Sequence, residues 1–282
     1  TVGGSFQASE DVEVKLRELF SQGKTAMVKA PYGTAGTQIR HLRNLEELQG
    51  KLGGWIRNIL HDQGEIIVEQ WLDKVYDLSI QMEVSEEGTE LLEVRSFITG
   101  RQNEYRGTYL GKKLSGFAEE DLRFIHILVA KWRPFILNLG NCLRAEGYQG
   151  PAGVDALIWR DLKGNLKLKP LVELNPRWTM GRVALELEKK LKPGVSGLWA
   201  FLPLREIKKQ GYENAEGFAS ALVQKYPLKL VEVGGGEQRI ESGVVFTNDP
   251  ARAQEVLTVF LSCAPKTKDF SWLKSRFEWL SL

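Results

Sequence analysis

The chain has 282 residues, 43% of them hydrophobic, with 38 Lys and Arg against 36 Asp and Glu for a formal net charge of +2. Mixed signs without a polybasic tail argue against a nucleic-acid partner, and no apolar run reaches the ~18 residues of a membrane-crossing helix. Two cysteines, Cys142 and Cys263, make neither a disulfide framework nor a zinc cluster, and reduced thiols fit a cytoplasmic location.

The length suits about two domains. The start, Thr1-Val2-Gly3-Gly4, carries no Met, no signal-peptide pattern and no strand; it reads as the cut end of a linker, with a region missing upstream. Ser9 to Phe20 places Val12, Leu16, Leu19 and Phe20 at helical spacing. Thr25 to Lys29 is a short apolar run that predicts a buried strand, followed by a turn-rich loop from Ala30 to Gly36 and a returning strand from Thr37 to Leu42. Asn44 with Glu47 forms a capping-box pattern opening one helix to about His61, weakened by Gly53-Gly54. Glu65 to Gln70 predicts a strand and Trp71 to Asp73 a connector.

From there the alternation has period two. Asp77 to Val84, Glu90 to Thr99 and Arg106 to Leu110 predict an antiparallel meander, with a turn at Glu86-Glu87-Gly88. Phe117 to Glu146 predicts a long helix with Pro134 as a candidate kink. Gly153 to Trp159 and Leu166 to Asn175 form a hairpin, and a helix from Arg182 to Leu191 stops at Pro193-Gly194. The last ninety residues predict a helix over Ala215 to Gln224, a hairpin at Gly234 to Gly236, a helix over Pro250 to Leu261 and an aromatic end from Phe270. Hairpins predominate over strand–helix–strand alternation, which points to an α+β fold.

Four local features carry chemistry. Lys29 ends a strand ahead of Gly33 and Gly36, and such a lysine can reach phosphate oxygens while glycine N–H groups approach an anion; a plain strand end before a glycine turn has the same look. Glu69, Gln70 and Leu72 lie on a strand and connector able to read an adenine edge through the backbone, with Glu69 accepting from its amino group; taken alone, a core strand with an exposed Glu is the better explanation. Glu173 and Asn175 share one strand face, and a three-residue loop, Lys163 to Asn165, puts Asp155 directly opposite Glu173. Two carboxylates and an amide oxygen make the all-oxygen set that Mg²⁺ prefers, and acids inside apolar runs are costly unless paired or metal-bound. Arg177 follows at once and can stabilise charge on a transferring phosphoryl group, or be a surface turn residue.

In this order, Lys29, Glu69-Gln70-Trp71-Leu72, Asp155 and Glu173-Leu174-Asn175-Pro176-Arg177 resemble the ATP-grasp superfamily over roughly residues 9–195, most specifically in the last motif. The resemblance implies an ATP-grasp fold, two α+β subdomains with ATP between them: a small subdomain over 1–70, a large one with the metal site over 71–200, and a C-terminal extension over 201–282 packed on it. It implies ATP with Mg²⁺, or Mn²⁺, as cofactors. Lys29 would bind phosphates, Glu69, Gln70 and Leu72 adenine, and Asp77 would lie near the ribose. Asp155, Glu173 and Asn175 would hold metal, and Arg177 would face the reacting phosphoryl group. The expected activity is a carboxylate–amine ligase acting through an acyl phosphate on small-molecule or peptide carboxylates and amines, with no nucleic acid or membrane and a homodimer left open. Another ATP-grasp enzyme (a small-molecule kinase or carboxylase) or a non-catalytic nucleotide-binding protein are the alternatives. The sequence departs from many ligases at Gly153, where they carry arginine; Arg95, Arg101, Arg106 or Arg177 are candidates to compensate.

Overall fold

The computed structural model describes residues 3–32, 38–100, 104–111 and 117–263. The chain divides into two compact units, the first ending at Asp73 and the second beginning at Lys74, with Glu104 grouped with the first.

The first unit runs β1 (Gly3–Phe6), α1 (Ser9–Ser21), β2 (Ala26–Lys29), β3 (Ile39–Leu42), α2 (Lys51–Gln63) and β4 (Ile66–Gln70). Its four antiparallel strands lie in the order β1-β4-β2-β3. Val12, Leu16 and Leu19 of α1 and Ile56 and Ile59 of α2 pack on Ala26, Val28, Ile66 and Val68. Strand alternation therefore turns Met27, Lys29, Ile67 and Glu69 to the sheet's other face.

Two expectations fail in this unit. Gly3-Gly4 belongs to a strand that pairs with β4, and at Gly3 the approach leaves no room for a side chain: a Cβ there would lie 2.7 Å from Glu69 Cγ and 2.9 Å from the Val68 carbonyl oxygen. The helix opened by Asn44 is also not continuous. Asn44 Oδ1 accepts from the Glu47 N–H at 3.2 Å and caps only a 3-10 turn, Leu45–Leu48. The chain then bends through Gly50, at φ 74°, into α2. Gly53 lets α2 close on that turn, since a Cβ there would sit 2.2 Å from the Leu48 carbonyl oxygen, whereas Gly54 meets only the tip of Arg57 at 4.0 Å. Gly53→Ala is therefore expected to destabilise by about 1–3 kcal/mol, and Gly54→Ala to stabilise by up to ~1 kcal/mol through helix propensity. Urea midpoints of the two variants test this opposition of sign.

The second unit contains β5 (Asp73–Val84), β6 (Thr89–Thr99), β7 (Tyr105–Leu110), α3 (Leu122–Ala145), β8 (Gly150–Arg160), β9 (Leu166–Asn175), α4 (Met180–Glu188), β10 (Ser196–Pro203), α5 (Leu204–Lys209), α6 (Ala215–Lys225), β11 (Lys229–Val233), β12 (Glu237–Phe246) and β13 (Val256–Cys263). Nine strands form one sheet in the order β11-β12-β13-β10-β7-β6-β5-β8-β9. Ile125, Trp132 and Ile136 of α3 cover Leu78, Ile80, Met82, Val154 and Ile158. Phe218, Ala219 and Leu222 of α6 cover Ile98, Leu198, Ala200 and Leu202. The alternate residues Leu110 and Trp199 face the other way, against Ala184 of α4.

The helix expected over Pro250 to Leu261 is strand β13. Ala251, Gln254 and Glu255 favour helix locally, but Val256, Leu257, Val259 and Phe260 fit a slot that β10 and β12 leave between them, and pairing on both edges overrides propensity. Strand β10 has no counterpart among the predicted elements.

The β8–β9 hairpin does bring Asp155 opposite Glu173, by an unexpected route. Arg160 pairs with Leu166, so the loop has five residues, Asp161 to Asn165, held by the Lys163 and Asn165 N–H groups donating to Asp161 Oδ1. A bulge then corrects the register: Pro170, Leu171 and Val172 oppose the single residue Ala156. The Trp132 indole N–H donates to the Pro170 carbonyl at 2.9 Å and ties this bulge to α3.

Candidate active site

In the second unit, Asp155 and Glu173 form a cross-strand pair, and Gly153 and Asn175 form the next pair on that face. Asn175 is buried; its Nδ2 donates to Asp155 Oδ2 at 3.3 Å, and Arg177 Nη2 donates to Asn175 Oδ1 at 2.7 Å. Pro176 breaks the strand, and the Arg177 N–H turns back to the Asn175 carbonyl at 2.8 Å, which aims the guanidinium at the strand just left. The pKa of Asp155 is pushed up to about 6, chiefly by burial; Glu173 and Asp77 add to this, while a hydrogen bond from Ser79 and the charge of Arg177 oppose it. The expectation that both acids lie within the core does not hold: Asp155 is half-buried, and Glu173, on the edge strand β9, is exposed.

Asp77 belongs to this cluster. Its Oδ2 accepts from Lys74 Nζ and from Thr99 Oγ1, each at 2.7 Å. Among the described residues no group of three or more His, Cys, Asp or Glu gathers to hold a metal; the two carboxylates pair across the strands, and Asn175 turns its amide nitrogen to Asp155 and its oxygen to Arg177. Of the arginines weighed against Gly153, Arg95 is buried and paired with Glu188 at 2.7 Å, Arg106 is buried on β7, and Arg101 lies outside the described residues.

In the first unit, Lys29 and Glu69 share the face not covered by helices, and Lys29 Nζ lies 3.0 Å from Glu69 Oε2, both side chains mostly buried. Sequence reasoning assigns these residues separate tasks; the fold makes them an ion pair. Gln70 pairs with Ala26 across the sheet, the Trp71 N–H donates to the Thr25 carbonyl, and Leu72 is buried. Gly33 and Gly36 lie outside the described residues, whose flanks are joined by the Ala30 N–H donating to the Gln38 carbonyl.

Sequence reasoning missed Lys74, Ser79, Gln81 and Thr179. The period-two alternation of β5 was the available signal for two of them: it sets Asp77, Ser79, Gln81 and Glu83 on one face while Leu78, Ile80, Met82 and Val84 enter the core.

No protein-family model matches the chain. A curated protein from Niallia circulans, the [butirosin acyl-carrier protein]–L-glutamate ligase, is 26% identical over 210 residues, covering 73% of this chain and 46% of that protein. The chain thus spans about half the length of the curated relative it matches. Among solved structures, N5-carboxyaminoimidazole synthetase from Staphylococcus aureus with ADP superposes with a TM-score of 0.53 at 13% identity, over 96% of this chain and 66% of that one. The biotin carboxylase domain of 2-oxoglutarate carboxylase from Hydrogenobacter thermophilus, with MgADP, gives 0.54 at 15% identity over 95% and 60%. Carboxyaminoimidazole ribonucleotide synthase from Aspergillus clavatus, with ATP, gives 0.55 at 8% identity over 99% and 68%. These neighbours are ATP-grasp enzymes, and at such identities what they share with this chain is architecture. The chain has the ATP-grasp fold.

Proposed function

We propose that the chain binds ATP with Mg²⁺ and activates a carboxylate as an acyl phosphate, which an amine then attacks with release of phosphate. The observation that carries this reading is the cross-strand pair Asp155–Glu173 with Asn175 bonded to Asp155 and Arg177 bonded to Asn175. The residues fit a divalent cation. The donors are all oxygen, as Mg²⁺ and Mn²⁺ prefer. Burial and the neighbouring acids penalise the charge on Asp155, and a cation compensates it. Asn175 Oδ1 keeps a second lone pair beside its bond to Arg177. When bound, the cation neutralises charge on the phosphate oxygens.

The chain's own groups supply the rest. Arg177 offers a fixed guanidinium to charge developing on the transferred phosphoryl group. Lys29 contacts phosphates, with Gly33 and Gly36 offering backbone N–H groups; Glu69 and the backbone of Gln70 and Leu72 receive adenine. Asp77, placed beside Asp155, serves the nucleotide's sugar or its cation. The curated relative's name supports a ligase and puts forward an amino acid and an acyl-carrier protein as the kind of substrates to try first; a homodimer belongs to the same reading.

The test is incubation with ATP, Mg²⁺ and a matrix of amino acids, other carboxylates, amines and a carrier protein, following ADP and phosphate release and product mass. ADP release that needs both partners is the expected result; absence of Mg²⁺-dependent nucleotide binding by calorimetry overturns the reading. Lys29→Ala is expected to weaken ADP affinity about 10-fold or more, the scale of one charge-assisted hydrogen bond. It also deprives Glu69 of its lysine, so the thermal midpoint falls; adding Glu69→Gln is expected to restore the midpoint and leave the affinity low.

A further inference from the structure

Beneath the acid cluster lies a buried hydrogen-bonded chain that the proposed reaction does not use directly. It begins at the start of α4, where the Arg182 backbone N–H donates to Thr179 Oγ1, the helix cap, at 3.2 Å. Thr179 Oγ1 donates to Gln81 Oε1 at 2.6 Å and Gln81 Nε2 donates to Ser79 Oγ at 2.7 Å; Ser79 in turn stands next to Asp155 and favours its charged form. These bonds all point the same way, from the positive end of a helix towards Ser79 and the carboxylate beyond it. Gln81 is 1% exposed, Ser79 6% and Thr179 8%, so water does not substitute for any link.

Direction matters here. Thr179 has one hydroxyl hydrogen, and donating it to Gln81 fixes the amide with its NH₂ toward Ser79. Ser79 then has an acceptor already satisfied, which leaves its own hydrogen free for Asp155. Turning the Gln81 amide over would draw the Ser79 hydrogen to Gln81 and leave Asp155 without it. Two glycines keep the amide seated. A Cβ on Gly181 would fall 2.4 Å from Gln81 Nε2; one on Gly153 would fall 3.3 Å from the same amide and 2.8 Å from Thr179 Cγ2. Position 153, where the sequence departs from many ligases, is thus occupied by the space that Gln81 and Thr179 require.

We propose that Gln81 is a positioning residue for the cation site: through Ser79 it holds the Asp155 carboxylate in the orientation that receives the metal, and Gly153 and Gly181 are the cradle that seats it. This rests on the Mg²⁺–nucleotide reading of Asp155, Glu173 and Asn175. It is tested by Mn²⁺ affinity in the presence of ADP, read by electron paramagnetic resonance, on the parent, Ser79→Ala, Gln81→Met and the double variant. Removing a group that orients a metal ligand lowers metal affinity about 10-fold or more. Each single variant is expected to show that loss. Because both act through one chain, the double variant is expected to lose no more than the worse single. Circular dichroism and the thermal midpoint confirm folding. If Gln81→Met does not fold, Ser79→Ala carries the comparison, since it removes one oxygen from the same chain. Parent-like Mn²⁺ affinity in folded Ser79→Ala, or losses that multiply in the double variant, overturns the positioning role alone. A parent that binds no Mn²⁺ with ADP overturns it together with the cation reading.

Discussion

Asp155→Asn is expected to abolish nucleotide-dependent turnover, by about three orders of magnitude or more, while making the metal-free protein more stable. The two effects share one cause. The ionised carboxylate is held half-buried opposite Glu173 and near Asp77, and its pKa is raised to about 6. A raised carboxylate pKa means that the folded state disfavours the charge. The destabilisation is full above about pH 6 and is relieved as pH falls from there towards 4, the value of an unfolded aspartate. At pH 7 it is on the order of 3 kcal/mol. Thermal midpoints in EDTA should therefore put the parent below the variant at neutral pH and level with it near pH 4. Adding Mg²⁺ and ADP should reverse the neutral-pH order, because ligand stabilises only the form that binds it. A variant that is less stable than the parent in EDTA at pH 7 would sink the charge argument; a variant that keeps turnover would sink the metal assignment.

Trp132→Ala carries the largest expected stability cost, about 3–5 kcal/mol. Trp132 is 2% exposed, sits between α3 and the strands beneath it, and donates its indole hydrogen to the Pro170 carbonyl. Its loss opens a cavity and removes the tie that holds the β9 bulge. The bulge is what brings Glu173 opposite Asp155, so Mn²⁺–ADP affinity should fall along with stability. Trp132→Phe keeps most of the volume without the hydrogen bond and separates the two: a small change in urea midpoint with weakened Mn²⁺ binding is the expected pattern. Equal Mn²⁺ affinity in a folded Trp132→Phe would show that the register does not depend on that bond.

How far the chain is legible from its residues depends on whether a signal is local. Asp155, Glu173 and Asn175 are legible because alternation within two strands fixes the face of each side chain. The meander over β5 to β7 and helix α3 are legible for the same reason of strong periodicity. Strand β13 is not, because the residues leading into it favour a helix and only the neighbours on both sides decide otherwise. Strand β1 is not, because two glycines look like a linker until their pairing with β4 is seen, the closeness of β4 explaining Gly3. The pairing of Asp155 with Glu173 is expected through a loop length that is wrong, corrected in the fold by a bulge whose one sign in the sequence is Pro170. The chain of Thr179, Gln81 and Ser79 is illegible because its members are almost a hundred positions apart and meet only in the packed sheet.

The interruption at Pro170 has a bearing on solubility as well. Strand β9 ends the nine-stranded sheet, and the outer edge of such a strand is a template on which another chain can add. A flat edge carrying the site's Glu173 and Asn175 would invite that kind of stacking. With Pro170 lacking an N–H and three residues standing against one, the row of pairing groups along that edge is interrupted. The bulge that sets the two carboxylates face to face also interrupts the border along which separate molecules would zip together.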